Sequence, residues 1–487
     1  MEQFVATIAL IGIVIVVASL LSGIIERIGI PLVGAFLLLG AALGPLGFNL
    51  IDIHLQSPEL RVLATLGLAL VLFSDAVGVN LREVRERRLL SWVVLGPGTI
   101  LPALVIAAAA YWILGVPVPA AAILGAALAS TDPVLLRTVL RAPGLPTTTR
   151  VALRLESGMN DVVLLPVVTI ATVALLQGTV ISSPDLGRHL IGLFLLGPAL
   201  GALIGWVGIT MLATIRSRIG VRRDYESLYA LGLGFTAYAA AEAVGGSGFL
   251  AAFAAGLAIA ALDVELCDCF LEYGEATAEM LLLLTFVAFG TSLIWTGLSV
   301  ADVPTLLFAV IALGARTAVL YPVLTQIGVR GRDRKLIALF GPRGLSSLLL
   351  VLLPVFAAVP GAERWLTITC LVVLLSLVIH GVIIGIFLRR EPTIRGAATS
   401  VVPDSVDNSE DAARSAAQPA ERITIDEVRE LQKRGEPVVF VDARAARSYD
   451  ADDRQIAGSV RIPPEDPVRN ATEQRLSQRS TLVVYCA

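Results

Sequence analysis

Residues 118–140 have the sequence VPAAAILGAALASTDPVLLRTVL, an apolar stretch that is interrupted in its middle by Ser130-Thr131-Asp132-Pro133. About twenty apolar residues in a helix span the roughly 30 Å hydrocarbon core of a bilayer. Pro133 removes a backbone donor and disfavours helical geometry at Asp132, so the helix should break there. We therefore expect a transmembrane helix in two halves, with an acidic side chain at the break.

The rest of the chain has the composition of a membrane protein that crosses the bilayer many times. Its 487 residues are 56% hydrophobic and only 16% charged, and the mean hydropathy is +0.81. A soluble protein could bury one or two long apolar stretches, but not a dozen. We therefore predict an all-α polytopic membrane fold of about 13 transmembrane helices, near residues 4–25, 30–49, 60–79, 90–113, 118–140, 150–177, 189–215, 225–243, 247–262, 279–298, 303–327, 335–357 and 365–388.

Arginine is concentrated in every second connection between these predicted helices. The basic connections contain Arg82, Arg85, Arg87 and Arg88, then Arg137, Arg141, Arg150 and Arg154, then Arg216, Arg218, Arg222 and Arg223, then Arg330, Arg332, Arg334 and Lys335, and finally Arg389 and Arg390. The other connections contain only Arg61, Arg188 and Arg364. Because positive residues stay inside, we expect an external N-terminus, a cytoplasmic tail and a place in the plasma membrane. The acidic connection 263–278 is cytoplasmic by the same count, because the rule gives Asp and Glu little weight.

The predicted sixth span begins with Glu156-Ser157-Gly158-Met159-Asn160-Asp161. Ionisable groups within the bilayer cost several kcal/mol and mark functional sites. Glu156 and Asn160 are four residues apart and share one helix face, whereas Asp161 points about 100° away. One acid can therefore be held in a structural pair while the other faces an aqueous cavity. The alternatives are a solvated cluster at the cytoplasmic helix end and, for Asp132, a simple cap of the second half-helix.

Two arginines also lie within predicted spans. Arg316 is near the middle of the eleventh, and Arg343 lies in Gly341-Pro342-Arg343-Gly344, a second helix-breaking string. Arginine stays protonated, so we expect each to have an anionic partner. Three acids against two arginines leave one negative charge, which suits one monovalent cation or one proton. This count leaves out Asp75 and Glu242, which we place near the ends of their spans. Interrupted helices at corresponding positions of two halves predict inverted repeats that cross at a transport site.

These strings resemble the first family of monovalent cation:proton antiporters, the sodium/proton exchanger group, over residues 4–390. The resemblance implies a secondary active antiporter that exchanges a monovalent cation, with Na⁺ expected, for H⁺. It also implies electroneutral exchange, alternating access, and a homodimer with a moving core domain. Asp161 would bind cation and proton in turn, with further oxygen ligands from Thr131, Asp132 and Ser157. The residues that organise the site would be Asn160, Glu156 paired with Arg316, and Arg343, although Gly341-Pro342 replaces the family's usual Gly-Gly-Leu before this arginine.

Three other functions remain open from the sequence. Potassium/proton exchange could use the same residues, and a membrane-anchored sulfur-transfer or sensor protein is a candidate from another class. A channel is a third candidate, but the sequence has no filter-like repeat. The expected partners are Na⁺, Li⁺ or K⁺, H⁺ and the lipid bilayer. We expect no enzyme activity, no cofactor and no nucleic-acid partner.

The chain changes character after the antiporter-like domain at 1–395. Residues 396–420 are rich in Ala, Ser, Asp and Pro and predict a flexible linker. Residues 421–487 resemble part of a rhodanese, a short α/β domain, through Val441-Asp442-Ala443-Arg444, Ile456-Ala457-Gly458 and Val483-Val484-Tyr485-Cys486. In a rhodanese, Cys486 would be the persulfide nucleophile, cradled by the loop that follows. The sequence stops at Ala487, so we do not expect an active sulfurtransferase.

Overall fold

The computed structural model describes residues 12, 16, 20, 32–51, 53–79, 81–140, 142, 144–177, 191–218, 223–262 and 268–390, and in the tail 428–429, 431, 434, 437–444, 455–462, 474 and 481–485. The chain forms two compact units, Met1–Val401 and Val402–Ala487. Apart from residues 12, 16 and 20, the predicted first span lies outside the described residues. The predicted linker at 396–420 and Cys486 also lie outside them.

The described part of the first unit is built from helices. They are α1 (Leu32–Leu43), α2 (Pro58–Val77), α3 (Leu81–Glu86), α4 (Arg88–Leu95), α5 (Pro97–Leu114), α6 (Val118–Ala129), α7 (Pro133–Leu140), α8 (Thr147–Gln177), α9 (Gly197–Arg218), α10 (Arg223–Ala243), α11 (Gly248–Ala261), α12 (Asp268–Thr291), α13 (Val303–Gln326), α14 (Gly331–Leu339), α15 (Leu345–Phe356) and α16 (Ala362–Arg390). A π-helical turn at Gly192–Leu196 leads into α9, and a 3-10 helix at Leu293–Val300 follows α12.

Many of these helices are long and apolar enough to cross a bilayer. Seven qualify within the described ranges, and an eighth qualifies if Thr277–Thr291 and Leu293–Val300 count as one span bent by 52°. This confirms the predicted helical, polytopic membrane fold. The predicted breaks are also present, since α6 and α7 are separated at residues 130–132 and α14 and α15 at residues 340–344.

Two predicted spans have the wrong limits. The helix expected over 30–49 ends at Leu43, and the chain then turns, with the Phe48 amide donating to the Ala42 carbonyl at 2.7 Å. Gly44-Pro45 in that segment cannot continue a regular helix. The helix expected over 279–298 starts already at Asp268 and bends after Thr291. Most of the acidic connection predicted at 263–278 is therefore helical.

The helices of the first unit pack in two groups. Helices α1, α2, α9, α10, α11 and α12 form the first group, with α11 lying against both α2 and α9. Helices α5, α6, α7, α8, α13, α14 and α15 form the second group, which contains both breaks. An ion pair between Arg137 on α7 and Glu279 on α12 connects the two groups.

Several of the basic connections meet at one end of the helices. The Arg87 guanidinium donates to the Thr148 hydroxyl at 2.9 Å, and the Thr149 hydroxyl donates to the Asp333 carboxylate at 2.6 Å. At the opposite end of the helices there is a cation–π contact, in which the Arg61 guanidinium lies 5.5 Å from the centre of the Phe356 ring. The arginine-rich connections before α4, before α8 and before α14 thus share one end of the bundle.

The described part of the second unit is a small parallel sheet. Its strands are β1 (Val438–Asp442), β2 (Val460–Arg461) and β3 (Thr481–Tyr485), in the order β2-β1-β3. The buried Asp442 carboxylate ends β1, and it accepts hydrogen bonds from the Arg444 guanidinium at 2.7 Å and the Tyr485 hydroxyl at 3.0 Å. These contacts hold the pKa of Asp442 at about 2, below its ordinary 3.8.

Candidate functional site

The two helix breaks cross each other inside the second group of helices. Their backbones are joined directly, because the Asp132 amide donates to the Pro342 carbonyl at 2.9 Å. Each break leaves the end of one half-helix and the start of another without the usual backbone partners. The crossing therefore contains two helix N-termini with partial positive charge and two C-termini with partial negative charge.

The Asp132 carboxylate accepts hydrogen bonds from backbone amides at both helix N-termini. One carboxylate oxygen accepts from the Val134 and Leu135 amides at 2.8 and 3.2 Å, at the start of α7. The other accepts from the Leu345 amide at 2.5 Å, at the start of α15. The capping role considered for α7 is therefore present, and the same carboxylate also caps a helix that is distant in sequence. Asp132 is 1% exposed, so its charge is balanced mainly by these two helix ends.

The two arginines donate hydrogen bonds to the carbonyl groups at the two helix C-termini. The Arg343 guanidinium donates to the Ala129 and Ser130 carbonyls at 2.6 and 2.9 Å, at the end of α6. The Arg316 guanidinium donates to the Ala338 carbonyl at 2.9 Å, at the end of α14. The expectation that Arg343 would have an anionic side chain as partner is wrong within the described residues. The carbonyls of a helix end attract a cation in the same way.

Arg316 also forms a buried ion pair with Glu156. Nε and Nη2 of the arginine each lie 2.5 Å from one carboxylate oxygen, which is the bidentate geometry that arginine favours. Both side chains are less than 5% exposed. The charge of Glu156 is therefore neutralised by a partner that cannot deprotonate.

Two glycines permit this close packing. A Cβ atom on Gly344 would overlap the carboxylate of Asp132, and one on Gly341 would lie 2.7 Å from Nε of Arg316. Between them, Pro342 contributes only its carbonyl to the crossing and has no amide hydrogen that would need a partner. The sequence Gly-Pro-Arg-Gly therefore suits an extended segment that contacts polar groups on both sides.

Asp161 has different partners from the other two acids. It is 3% exposed, its carboxylate accepts a hydrogen bond from the Ser130 hydroxyl, and the Ser346 hydroxyl also lies within hydrogen-bonding reach. Next to it, the Asn160 amide donates to the Thr131 hydroxyl at 2.8 Å. The Ser157 hydroxyl makes a long contact of 3.4 Å with the Arg154 carbonyl one turn earlier.

Comparison with known proteins identifies the family. The family model described as "Sodium/hydrogen exchanger, transmembrane" matches residues 13–390. The chain belongs to the sodium/hydrogen exchanger family. This confirms the resemblance inferred from the motifs, and the family comprises secondary transporters.

Individual relatives of this exchanger carry the same kind of name. The chain is 25% identical to the K(+)/H(+) antiporter NhaP of Alkalimonas amylolytica over 385 residues, which are 78% of this chain and 66% of that protein. It is 28% identical to the K(+)/H(+) antiporter NhaP2 of Shewanella baltica (strain OS223) over 372 residues, covering 75% and 63%. The chain thus spans slightly less than two thirds of the length of these curated relatives.

A solved structure has the same fold. The sodium proton antiporter MjNhaP1 from Methanocaldococcus jannaschii at pH 8 superposes with a TM-score of 0.63 at 21% identity, covering 78% of this chain and all of that chain. This likeness concerns the fold of the exchanger, including its helical, membrane-crossing architecture.

Sequence reasoning missed two serines beside Asp161 and the contact of Asp75 with α8. Ser130 and Ser346 are buried hydroxyl residues beside the two breaks, and their positions next to Thr131-Asp132 and Gly344-Leu345 were the available signal. Asp75 was placed near the end of its span, and there it lies against Gly158, where an added Cβ would be 3.4 Å from the Asp75 Cβ. The contact between α2 and α8 could not be inferred from one sequence.

Proposed function

We propose that this exchanger exchanges a monovalent cation for H⁺ by secondary active antiport, with Asp161 as the carboxylate that carries both. The observation that supports this assignment is the set of partners that each buried acid has. Asp132 is held by three backbone amides and Glu156 by an arginine, whereas Asp161 is contacted by hydroxyls. A hydroxyl can rotate to face either a carboxylate or a cation, so Asp161 keeps the freedom to exchange ligands.

The other site residues act around Asp161 in this proposal. Thr131, Asp132 and Ser157 supply further oxygen ligands, directly or through water. Asn160 fixes Thr131 through its amide, and the Glu156–Arg316 pair fixes α8 against α13 and the end of α14. Arg343 holds the end of α6 in place. These roles follow from the contacts of each side chain together with the family resemblance.

Transport follows from competition at one carboxylate. Exposed to one side, Asp161 releases its proton and takes a cation; the group of helices that contains the crossing then moves, and the reverse exchange occurs on the other side. The two-group packing supports such a movement, because the crossing lies entirely in the second group. The Arg137–Glu279 pair joins the groups and would have to adapt during the movement.

The identity of the cation has two candidates. We propose Na⁺, in line with the family description and with the name of the structural neighbour. K⁺ is the second candidate, because the NhaP and NhaP2 relatives carry names that specify K⁺/H⁺ exchange. The two cations differ in size and in preferred oxygen number, so small differences in ligand placement decide between them.

The finer architecture also belongs to the proposal. It comprises thirteen crossings, with the short apolar helices α1, α11 and α15 contributing to them, an external N-terminus, and a cytoplasmic tail. The contacts among the arginine-rich connections at one end support this orientation. We further propose a homodimer, a linker at 396–420, and a partial rhodanese-like domain at 421–487 whose parallel sheet is in accord with an α/β fold.

The decisive variant is Asp161→Asn, tested in proteoliposomes with Na⁺, Li⁺ and K⁺ in turn. Asparagine is nearly isosteric but cannot bind a proton, so cation-dependent proton flux should vanish while the protein remains folded. The matched control is Asp333→Asn, which changes a buried aspartate outside the crossing and should leave exchange measurable. Normal exchange by the Asp161→Asn protein would remove this residue from the centre of the mechanism.

A further inference from the structure

The two hydroxyls near Asp161 come from different broken helices. Ser130 lies in the break between α6 and α7, and Ser346 is the second residue of α15. Ser130 is fully buried and Ser346 is 6% exposed. The Asp161 carboxylate itself is on a third helix, α8, so three separate helices converge on one charged group.

The backbone of each serine is fixed by the crossing. The Ser130 carbonyl accepts a hydrogen bond from Arg343 at 2.9 Å. Ser346 follows Leu345, whose amide is held by the Asp132 carboxylate at 2.5 Å. These contacts involve backbone groups, so they do not occupy the two hydroxyls, and the same charged residues that hold the helix ends fix the positions of both serines.

A hydroxyl group can serve two purposes at such a position. It has one proton to donate and two lone pairs that can accept, and the proton can rotate away. When the carboxylate carries a negative charge and no cation, a hydroxyl beside it can donate to it, as the Ser130 hydroxyl does. When a hard monovalent cation binds, the hydroxyl oxygen can turn towards the ion, since such cations prefer oxygen ligands.

One further oxygen in the neighbourhood lacks a partner. Oδ1 of Asn160 is buried and accepts no hydrogen bond from the described residues, although the amide nitrogen of the same side chain binds Thr131. A buried acceptor without a partner costs about 1–3 kcal/mol. Asn160 Oδ1 is therefore a buried acceptor, one residue from Asp161, that no described residue occupies.

We propose that Ser130 and Ser346 are direct cation ligands, one from each broken helix, so that the bound ion bridges the crossing. The inference rests on the proposed antiport function and deepens it. The ligand set expected from the sequence came from the first break and from α8 alone. Adding Ser346 makes the second broken helix part of the ion's coordination shell and a determinant of which alkali cation fits.

The test measures cation affinity in Ser130→Ala and Ser346→Ala proteins. Exchange is followed in proteoliposomes at one fixed pH while Na⁺ or K⁺ is varied, which separates KM from the maximal rate. Binding is measured independently in detergent as the rise in melting temperature on adding the same cation. Thr172→Val is the matched control, because its hydroxyl is buried on α8 but donates to the Val168 carbonyl of its own helix.

Each alanine variant should raise the KM for the transported cation about tenfold, equivalent to ~1.4 kcal/mol. The maximal rate should stay within a factor of about two, and the ratio of the KM values for K⁺ and Na⁺ should change. Ser346→Thr, which restores a hydroxyl, should recover most of the affinity. The Thr172→Val control should keep the normal KM.

Three results would overturn the inference. One is an unchanged KM and an unchanged cation-dependent melting shift in Ser346→Ala while the parent protein exchanges ions. Another is an equal loss of affinity in Thr172→Val, which would indicate a general packing effect. The third is a lower melting temperature without cation together with a normal melting shift on adding it, which would assign Ser346 a purely structural role. If the parent protein exchanged no alkali cation at all, the proposed function would fail first, and the binding measurement would show this separately.

Discussion

The buried pair between Glu156 and Arg316 gives the strongest quantitative prediction. Glu156→Gln keeps the side-chain shape but leaves the arginine charge buried, 2% exposed, without its carboxylate. Removing one partner of a buried pair costs about 3–5 kcal/mol. Arg316→Met should cost at least as much, because it also removes the hydrogen bond to the Ala338 carbonyl at the end of α14. Each single variant should therefore melt several degrees below the parent protein.

The double variant separates a true pair from two independent effects. With both charges removed, the loss should be smaller than the sum of the single losses by about 2–3 kcal/mol. The assay is thermal melting in detergent, with retention of the fold checked by gel filtration. The control cycle is Arg137→Met with Glu279→Gln, a pair whose side chains are 20% and 26% exposed. That coupling should stay below about 1 kcal/mol. Strict additivity in the Glu156–Arg316 cycle would refute the claim that this pair acts as a unit.

Three other predictions test separate parts of the structure. Gly344→Ala should sharply reduce exchange and lower the melting temperature, because the new Cβ overlaps the Asp132 carboxylate. Gly314→Ala is the control and should be tolerated, because an added Cβ there meets nothing within 4 Å. Equal effects of the two substitutions would contradict this packing. The protection factors of the β1 amides, which are corrected for the intrinsic exchange rate at each pH, should fall as the pH is lowered from about 4 towards 2, because the pKa of Asp442 is lowered in the folded state and its stabilisation disappears on protonation. This fall in protection should be absent in Asp442→Asn. A valinomycin-imposed potential should leave exchange unchanged at fixed ion gradients, although each net charge moved would respond with ~2.3 kcal/mol per 100 mV; a voltage-driven flux would show that a second acid titrates.

Much of the fold could be predicted because its causes are local. Pro133 and the Gly341-Pro342 string interrupt their helices where the sequence indicates, and apolar length alone identifies most of the long spans. The position of Glu156 opposite Arg316 follows from the family resemblance and from the need of a buried acid for a cation. In each case the sequence shows both the residues that cause the feature and the position in the chain where it occurs.

Other features depend on contacts between distant segments. The sequence offers no way to know that Asp132 caps α15 as well as α7, or that Arg343 is balanced by the carbonyls at the end of α6. Every residue has the same backbone groups, so the sequence does not show which of them will bind a charged side chain. A search for partners among side chains alone therefore misses them. The bend after Thr291 also involves a distant segment, because the 3-10 helix that follows it packs against α16.

The charges of the crossing can now be counted with the helix ends included. Asp132 faces two partially positive N-termini, Arg343 faces a partially negative C-terminus, and Glu156 is matched by Arg316. Each of these is a permanent arrangement, because exchanging any of them would leave a helix end or a buried charge without compensation. Among the residues that the structure describes, the hydrogen-bonding partners of Asp161 are rotatable hydroxyls, so a single positive charge, from a proton or from a monovalent cation, completes the balance. A site with one such vacancy exchanges one cation for one proton, and this is why we expect the exchange to be electroneutral.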